Sequence, residues 1–330
     1  MEKSKLSELI NSKDTKQLAD TLKQEVSEYR KSDLFKNYLD FLSKTYNYSS
    51  RNVRFLLKQK RDIGVVASFT KWKALGYNIK KGSKSYKVFM PIIAKKYADG
   101  KPVLDDNGEH IKEVVGYKLG SVFEDSQLVE YDKLPKQIKY LEQDIDNEKK
   151  LFLALAKVSN VPVELKPLEH DGAYSPTNES ITINAKLHGS DLIHTLIHEV
   201  THARIHHDSN AKFGDDKYKL QELEAETTAY IVAKKFDIDT SDYTLGYLNS
   251  WGLDKVDEKQ LTEVLENIQK TASGLIKEID SALEKKQEKV KEKTPLQEKI
   301  ASAKNRQKGN SGKKEVENNN LFKSKNANFQ

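Results

Sequence analysis

The segment Leu192-Ile193-His194-Thr195-Leu196-Ile197-His198-Glu199-Val200-Thr201-His202 constrains this chain more than any other. Its apolar residues recur at helical spacing, and inside it lies the pattern H-E-x-x-H. Residues four apart share a helix face, so His198 and His202 project side by side and can reach one metal ion. Glu199, one position on, is turned toward the open side of that ion. Two ligands under-hold zinc, and the chain has no cysteine, so the third ligand must be an imidazole or a carboxylate. A second predicted helix, from about Lys219 to Lys235, offers Glu222, Glu224 and Glu226. A solvated histidine-rich helix would leave that glutamate helix unexplained. His194 and His206 extend the histidine stripe at four-residue spacing and are expected behind the ligands or at the surface. With Zn2+ as cofactor and Glu199 as the base for a metal-activated water, such a site hydrolyses a peptide bond.

The formal net charge of +6 over 330 residues averages unequal parts. Between Arg51 and Lys96 thirteen basic residues face one acid, Asp62, and from Ala282 to the end thirteen basic residues face six acids. Those two stretches carry +12 and +7, which leaves −13 for the rest. Segregation on this scale points to a polyanion partner. In 51–96 the cations alternate with Phe55, Phe69, Trp72, Tyr77, Tyr86 and Phe89. Cations that track phosphates and rings that stack on bases are the mixture that binds single-stranded nucleic acid. The expected contacts are Arg51, Asn52, Arg54, Lys71, Trp72, Lys73, Lys80, Lys81, Lys84 and Lys87.

The length suggests two domains. Residues 1–45 read as a helical lead-in, followed by a basic helix from Arg51 to Lys60 and a short helix at Ser68–Gly76. Strands are expected at Tyr77–Ile79 and Tyr86–Pro91, paired around Lys81-Gly82-Ser83. A hairpin punctuated by Asp99-Gly100 and Asp105–Gly108 and a strand at Val114–Phe123 complete a domain spanning 1–128. A polar linker covers 129–149. The second domain, 150–284, reads as helix, strand (Val161–Leu165), turn, alternating strand (Ser180–Asn184) and helices, and that last strand is expected either to pair with an extended substrate or to cover a core. The fold class is α+β, with a disordered basic tail over 285–330. No apolar run approaches the length of a membrane span and the first residues lack a signal-peptide core, so a cytoplasmic protein with no membrane partner is expected.

Three places resemble the ArdC-type antirestriction proteins and the LtrC-like proteins of conjugative elements. Tyr48–Asn52, Phe69–Gly76, Lys80–Lys84, Val88–Pro91 and Val122–Gln127 are similar to that family's N-terminal single-stranded-DNA-binding domain, although Ser83-Lys84-Ser85 departs from its glycine-rich form. The H-E-x-x-H helix with Ala225–Tyr230 resembles the zincin-like domain of the family and of the related ImmA/IrrE peptidases. Tyr247–Trp251 is similar to a segment behind that domain. The resemblance implies Glu226 as third ligand, with Glu222 and Glu224 as fallbacks. It also implies a zinc metallopeptidase of a mobile element that coats single-stranded DNA and protects it from restriction. The alternatives are a DNA-coating protein with an idle metal domain, or a peptidase that cleaves a repressor.

Overall fold

A computed structural model describes residues 3–129, 145–238, 240 and 256–291. The expected tail starts at 285, but 285–291 continue a helix; the rest of it, most of the linker and the Tyr247–Trp251 segment lie outside the described residues.

Helices α1 (Lys3–Ser12), α2 (Thr15–Gln24) and α3 (Ser32–Lys44) form the lead-in, with a 3-10 turn at Val26–Arg30. Helix α4 (Ser50–Gln59) starts at Ser49, whose hydroxyl accepts the Asn52 N–H, and α5 (Phe69–Ala74) starts at Ser68, which does the same for Lys71. Strand β1 (Val66–Ala67) precedes α5. Beyond it β2 (Tyr86–Lys95) and β5 (Lys112–Glu124) form a long antiparallel ribbon, and β1 pairs with the far end of β5. At the ribbon's tip β3 (Tyr97–Ala98) and β4 (Lys101–Pro102) make a small hairpin. Leu6, Leu9, Leu18, Leu22, Phe55 and Phe89 pack together between the helices and the base of β2. Each such side chain contributes roughly 1.5–3 kcal/mol by leaving water.

The strand expected at Tyr77–Ile79 is not formed as the partner of β2. Only Ile79 bridges, to Leu128, and β2 takes the distant β5 instead. A long ribbon satisfies ten residues of β2, which a three-residue strand could not.

In the second half, α6 (Ile145–Val158) begins earlier than the expected Lys150. The strands β6 (Val163–Lys166), β7 (Gly172–Ser175) and β8 (Ser180–Asn184) form a sheet in the order β6-β8-β7, with β6 parallel and β7 antiparallel to β8. The expectation that β8 pairs with substrate is corrected: both its edges are occupied, and β6 and β7 are the edge strands. Helix α7 (Gly189–Ile205) packs on β7 and β8, and α8 (Asp216–Lys235) packs on α7. Helix α9 (Glu258–Lys291) follows.

Helix α3 does more than lead in. Phe35, Tyr38, Leu39, Phe41 and Leu42 are all buried, a wider apolar face than one neighbour would cover. It packs against α8, where Asp40 accepts hydrogen bonds from Tyr230 and from Lys234 (2.7 Å). Its Tyr38 hydroxyl donates to the carbonyl of Leu265 in α9 at 3.2 Å.

Candidate metal centre and basic surface

Gly172 sets how closely sheet and helix approach. A Cβ there would stand 2.8 Å from the Thr195 methyl and 2.9 Å from Ile183, so only glycine lets β7 lie this near α7. As a result the backbone N–H of Tyr174 reaches Glu199 and donates to its Oε2 at 2.7 Å. In an antiparallel ladder alternate residues turn their backbone groups away from the partner strand, and Tyr174 is turned toward the helix and the cleft.

On α7, His198 and His202 lie one turn apart with their Nε2 atoms 3.0 Å from each other. Glu222 of α8 brings one oxygen to 3.5 Å from His198 Nε2 and the other to 3.3 Å from His202 Nε2. Glu226, one turn further along α8, faces the opposite nitrogen of His198, with Oε2 3.4 Å from Nδ1 and 3.0 Å from His194 Nε2. Behind His202 the Nδ1 atoms of His202 and His206 meet at 3.0 Å. His206 Nε2 lies 2.9 Å from Glu224, whose other oxygen accepts from Asn267. Each imidazole of the pair is therefore backed on its Nδ1 side by a buried chain that ends in a carboxylate.

A cleft of about 380 Å³ opens over this arrangement. His198, Glu199, His202, Glu222, Tyr174 and Tyr218 line it, whereas His194 and Glu226 do not. Burial penalises charge on Glu222 and Glu226, yet the facing imidazoles outweigh it and hold both carboxyls well below the usual range. Burial likewise opposes charge on His198, but Glu222 and Glu226 raise its proton affinity to about 10, and His202 is held below its ordinary value by burial and the neighbouring His198. Glu222 faces both imidazoles of the pair, whereas Glu226 faces His198 and His194. The Tyr218 hydroxyl is pushed up to about 12 by burial and the neighbouring Glu222, so it stays protonated.

Of the sequence-derived metal residues, His198, His202 and Glu199 are brought together in the cleft. Glu222, one of the fallbacks, holds the place toward both Nε2 atoms, Glu226 stands behind His198, and Glu224 stands behind His206. The sequence reading missed β7, taken for a turn, and Tyr218. The signal for Tyr218 was available: it lies one helical turn before Glu222.

The ten expected nucleic-acid contacts divide. Asn52 is buried, and its side chain donates to the Phe89 carbonyl (3.0 Å) and accepts the Phe89 N–H (2.8 Å), locking α4 to β2. Arg54 is buried against the carbonyl of Leu22, and Trp72 is buried with its Nε1 donating to Phe123. These three are buried and tie elements of the fold together. Arg51 stacks over the rings of Phe89 and Tyr117, and Lys87 donates to the hydroxyls of Ser85 and Ser121. Lys71, Lys73, Lys80, Lys81 and Lys84 are exposed on α5 and the turn after it, with Phe69 also exposed. Part of the +12 is compensated from outside the segment: Lys58 pairs with Glu25 and Glu28, Lys60 with Glu124, and Arg61 with Asp33.

Residues 9–123 match the family model of the N-terminal domain of anti-restriction factor ArdC, and residues 155–263 match that of a zincin-like metallopeptidase. The chain joins an ArdC-type N-terminal domain to a zincin-like domain. An uncharacterized protein of Bacillus anthracis is 27% identical over 320 residues, covering 84% of this chain and 54% of that protein, so the chain spans about half the length of the curated relative it matches. Crystal structures of the antirestriction ArdC protein from plasmid R388, metal-free and Mn(II)-bound, are each 22% identical to it. They cover 71% and 72% of this chain and 86% and 85% of theirs, with TM-scores of 0.41 and 0.43. The H-E-x-x-H helix, β7 and Glu222 all fall within the zincin-like domain, and α4, α5 and most of the ribbon within the ArdC-type domain. A zincin-like domain with this donor set points to a divalent metal. Among the described residues no helix is long and apolar enough to cross a membrane.

Proposed function

We propose that this protein is a zinc-dependent peptidase joined to a single-stranded-DNA-binding domain, acting to protect incoming DNA of a mobile element from restriction. The observation that carries the peptidase half is the convergence of His198 Nε2, His202 Nε2 and Glu222 in the cleft that also holds Glu199. Zinc bound at about 2.0–2.1 Å in a tetrahedron requires its ligand atoms roughly 3.3 Å apart. The 3.0 Å between the two Nε2 atoms is close to one such edge, and Glu222 brings one oxygen to 3.3 Å from His202 Nε2 and the other to 3.5 Å from His198 Nε2. The donors are nitrogen and oxygen, as zinc accepts, and all three residues line the cleft.

On this reading His198, His202 and Glu222 are the ligands and Glu226 orients His198 through its Nδ1, a role that outer carboxylates commonly play. A zinc ion there supplies Lewis acidity for hydrolysis of a carbonyl compound near neutral pH. Glu199, held by the Tyr174 N–H, accepts the proton of the attacking water and returns it to the leaving nitrogen. Tyr218, protonated and beside Glu222, offers a hydrogen bond to negative charge that develops in the cleft. An extended peptide lies along β7, the edge strand that lines the cleft.

For the DNA half, Lys71, Lys73, Lys80, Lys81 and Lys84 with exposed Phe69 offer cations and a stacking ring on one short segment. The test uses the full chain. Glu199→Gln is expected to retain zinc and single-strand affinity, and to abolish both proteolysis and protection of transferred DNA. If protection survives that substitution, coating alone is the function and the peptidase role is excluded. A gel shift without salt-dependent preference for single strands would exclude the DNA half.

A further inference from the structure

We propose that the arm formed by residues 90–118 is a self-association surface through which two copies of this chain pair antiparallel, the acidic tip of each arm lying on the basic stem of the other. Along this stretch β2 and β5 pair only with each other, so both outer edges of the ribbon are open among the described residues. The register shifts between Ile92 and Ile93 and leaves Val115 without a partner in the ladder, and here Ile92-Ile93 and Val114-Val115 are exposed on both strands, with Ile93 58% and Val115 57% accessible. Tyr97 and Leu104 continue the apolar surface into the tip. Two open edges with apolar faces are features that soluble proteins normally cover.

The arm is ordered in its own right. Lys96 N–H donates to Ile111 at 2.8 Å, Val103 N–H to Lys96 at 2.9 Å, and Ile111 N–H to Val103 at 2.9 Å, while Asp105 accepts the N–H groups of Asn107 and Glu109. At its base Thr15 donates to the Tyr117 carbonyl.

Charge decides what covers it. The stem, residues 90–96 and 111–118, has Lys95, Lys96, Lys112 and Lys118 against Glu113, a net of +3. The tip, residues 97–110, has Asp99, Asp105, Asp106 and Glu109 against Lys101, a net of −3. Among the described residues none of these ten side chains is in an ion pair, and Lys95 and Lys112 stand directly opposite each other in the register, a repulsive arrangement on its own. A two-fold axis between antiparallel arms places each tip on the partner's stem, so a single patch is complementary to itself. A nucleic acid would meet the acidic tip with repulsion.

Sedimentation of the full-length protein at tens of micromolar is expected to show a dimer. Ile93→Asp with Val115→Asp, both at exposed positions, is expected to give a folded monomer whose single-strand affinity changes less than about twofold. Reversing the tip (Asp106→Lys with Glu109→Lys) or the stem (Lys95→Glu with Lys112→Glu) is expected to weaken dimerisation by about tenfold or more. An equimolar mixture of the two reversed proteins is expected to dimerise as the natural chain does, because tip and stem are again opposite in sign at both contacts. A natural chain that stays monomeric, a mixture that stays monomeric, or an Ile93/Val115 variant that loses DNA affinity at unchanged mass overturns the proposal.

Discussion

Glu199 Oε2 accepts the backbone N–H of Tyr174 at 2.7 Å, so the carboxylate of the cleft is held by the backbone of strand β7. That contact depends on the close approach at Gly172. Gly172→Ala is expected to cost about 1–3 kcal/mol, as overpacking of a close contact does, and to move β7 off α7. Denaturant unfolding reads the stability change, and loss of amide-exchange protection at Tyr174 reads the displaced strand.

Glu124 is buried and accepts both Lys60 Nζ (2.7 and 2.8 Å) and the Gly64 N–H (2.6 Å). Burial alone would raise its pKa, but Lys60 and the Gly64 N–H outweigh it and hold the carboxyl below the usual value of 4.5. A carboxylate depressed in the folded state stabilises above its unfolded pKa, and that contribution is lost as pH falls through the folded value. Glu124→Gln is therefore expected to destabilise the protein by about 1–3 kcal/mol at pH 7, with the gap to the natural chain closing below about pH 4.5. Chemical denaturation across pH 3–7 measures this.

The exposed lysines and the buried polar residues of the basic segment separate by salt dependence. Lys71→Ala, Lys73→Ala and Lys84→Ala together are expected to reduce the slope of log affinity against log salt by about 2, at roughly 0.7 per phosphate contact on a single strand. Asn52→Ala is expected to leave that slope unchanged and to lower stability instead, since it removes both bonds to the Phe89 backbone. A salt-titrated binding assay beside a melting curve distinguishes the two.

The H-E-x-x-H helix was legible because its chemistry is local: four-residue spacing alone places His198 and His202 together. Which glutamate faces the two Nε2 atoms was not, because Glu222 and Glu226 are one helical turn apart and share a face. Only the packing of α8 on α7 determines which of them meets the Nε2 atoms. Gly172–Ser175 was hidden among turn residues, and the strand exists because β8 has an edge to offer it. Asn52, Arg54 and Trp72 have the composition of a nucleic-acid surface, but side-chain type does not reveal the face of α4 or α5 on which a residue lies. The helical spacing of Leu34, Tyr38, Phe41 and Leu42 marks α3 as a helix, whereas its partner, α8, lies nearly two hundred residues away and no local pattern names it.

The central claim is a metal centre built from His198, His202 and Glu222, with Glu226 behind it. Cobalt(II) titration of the metal-free full-length protein, followed by its visible absorption and by chelator competition, tests it most directly. The account expects one ion per chain with a tetrahedral spectrum. Glu222→Gln should change that spectrum and weaken binding most, and Glu226→Gln should keep the spectrum while weakening binding about 10–100-fold, as loss of a supporting carboxylate does. No stoichiometric binding, or a spectrum altered by Glu226→Gln and untouched by Glu222→Gln, would contradict it.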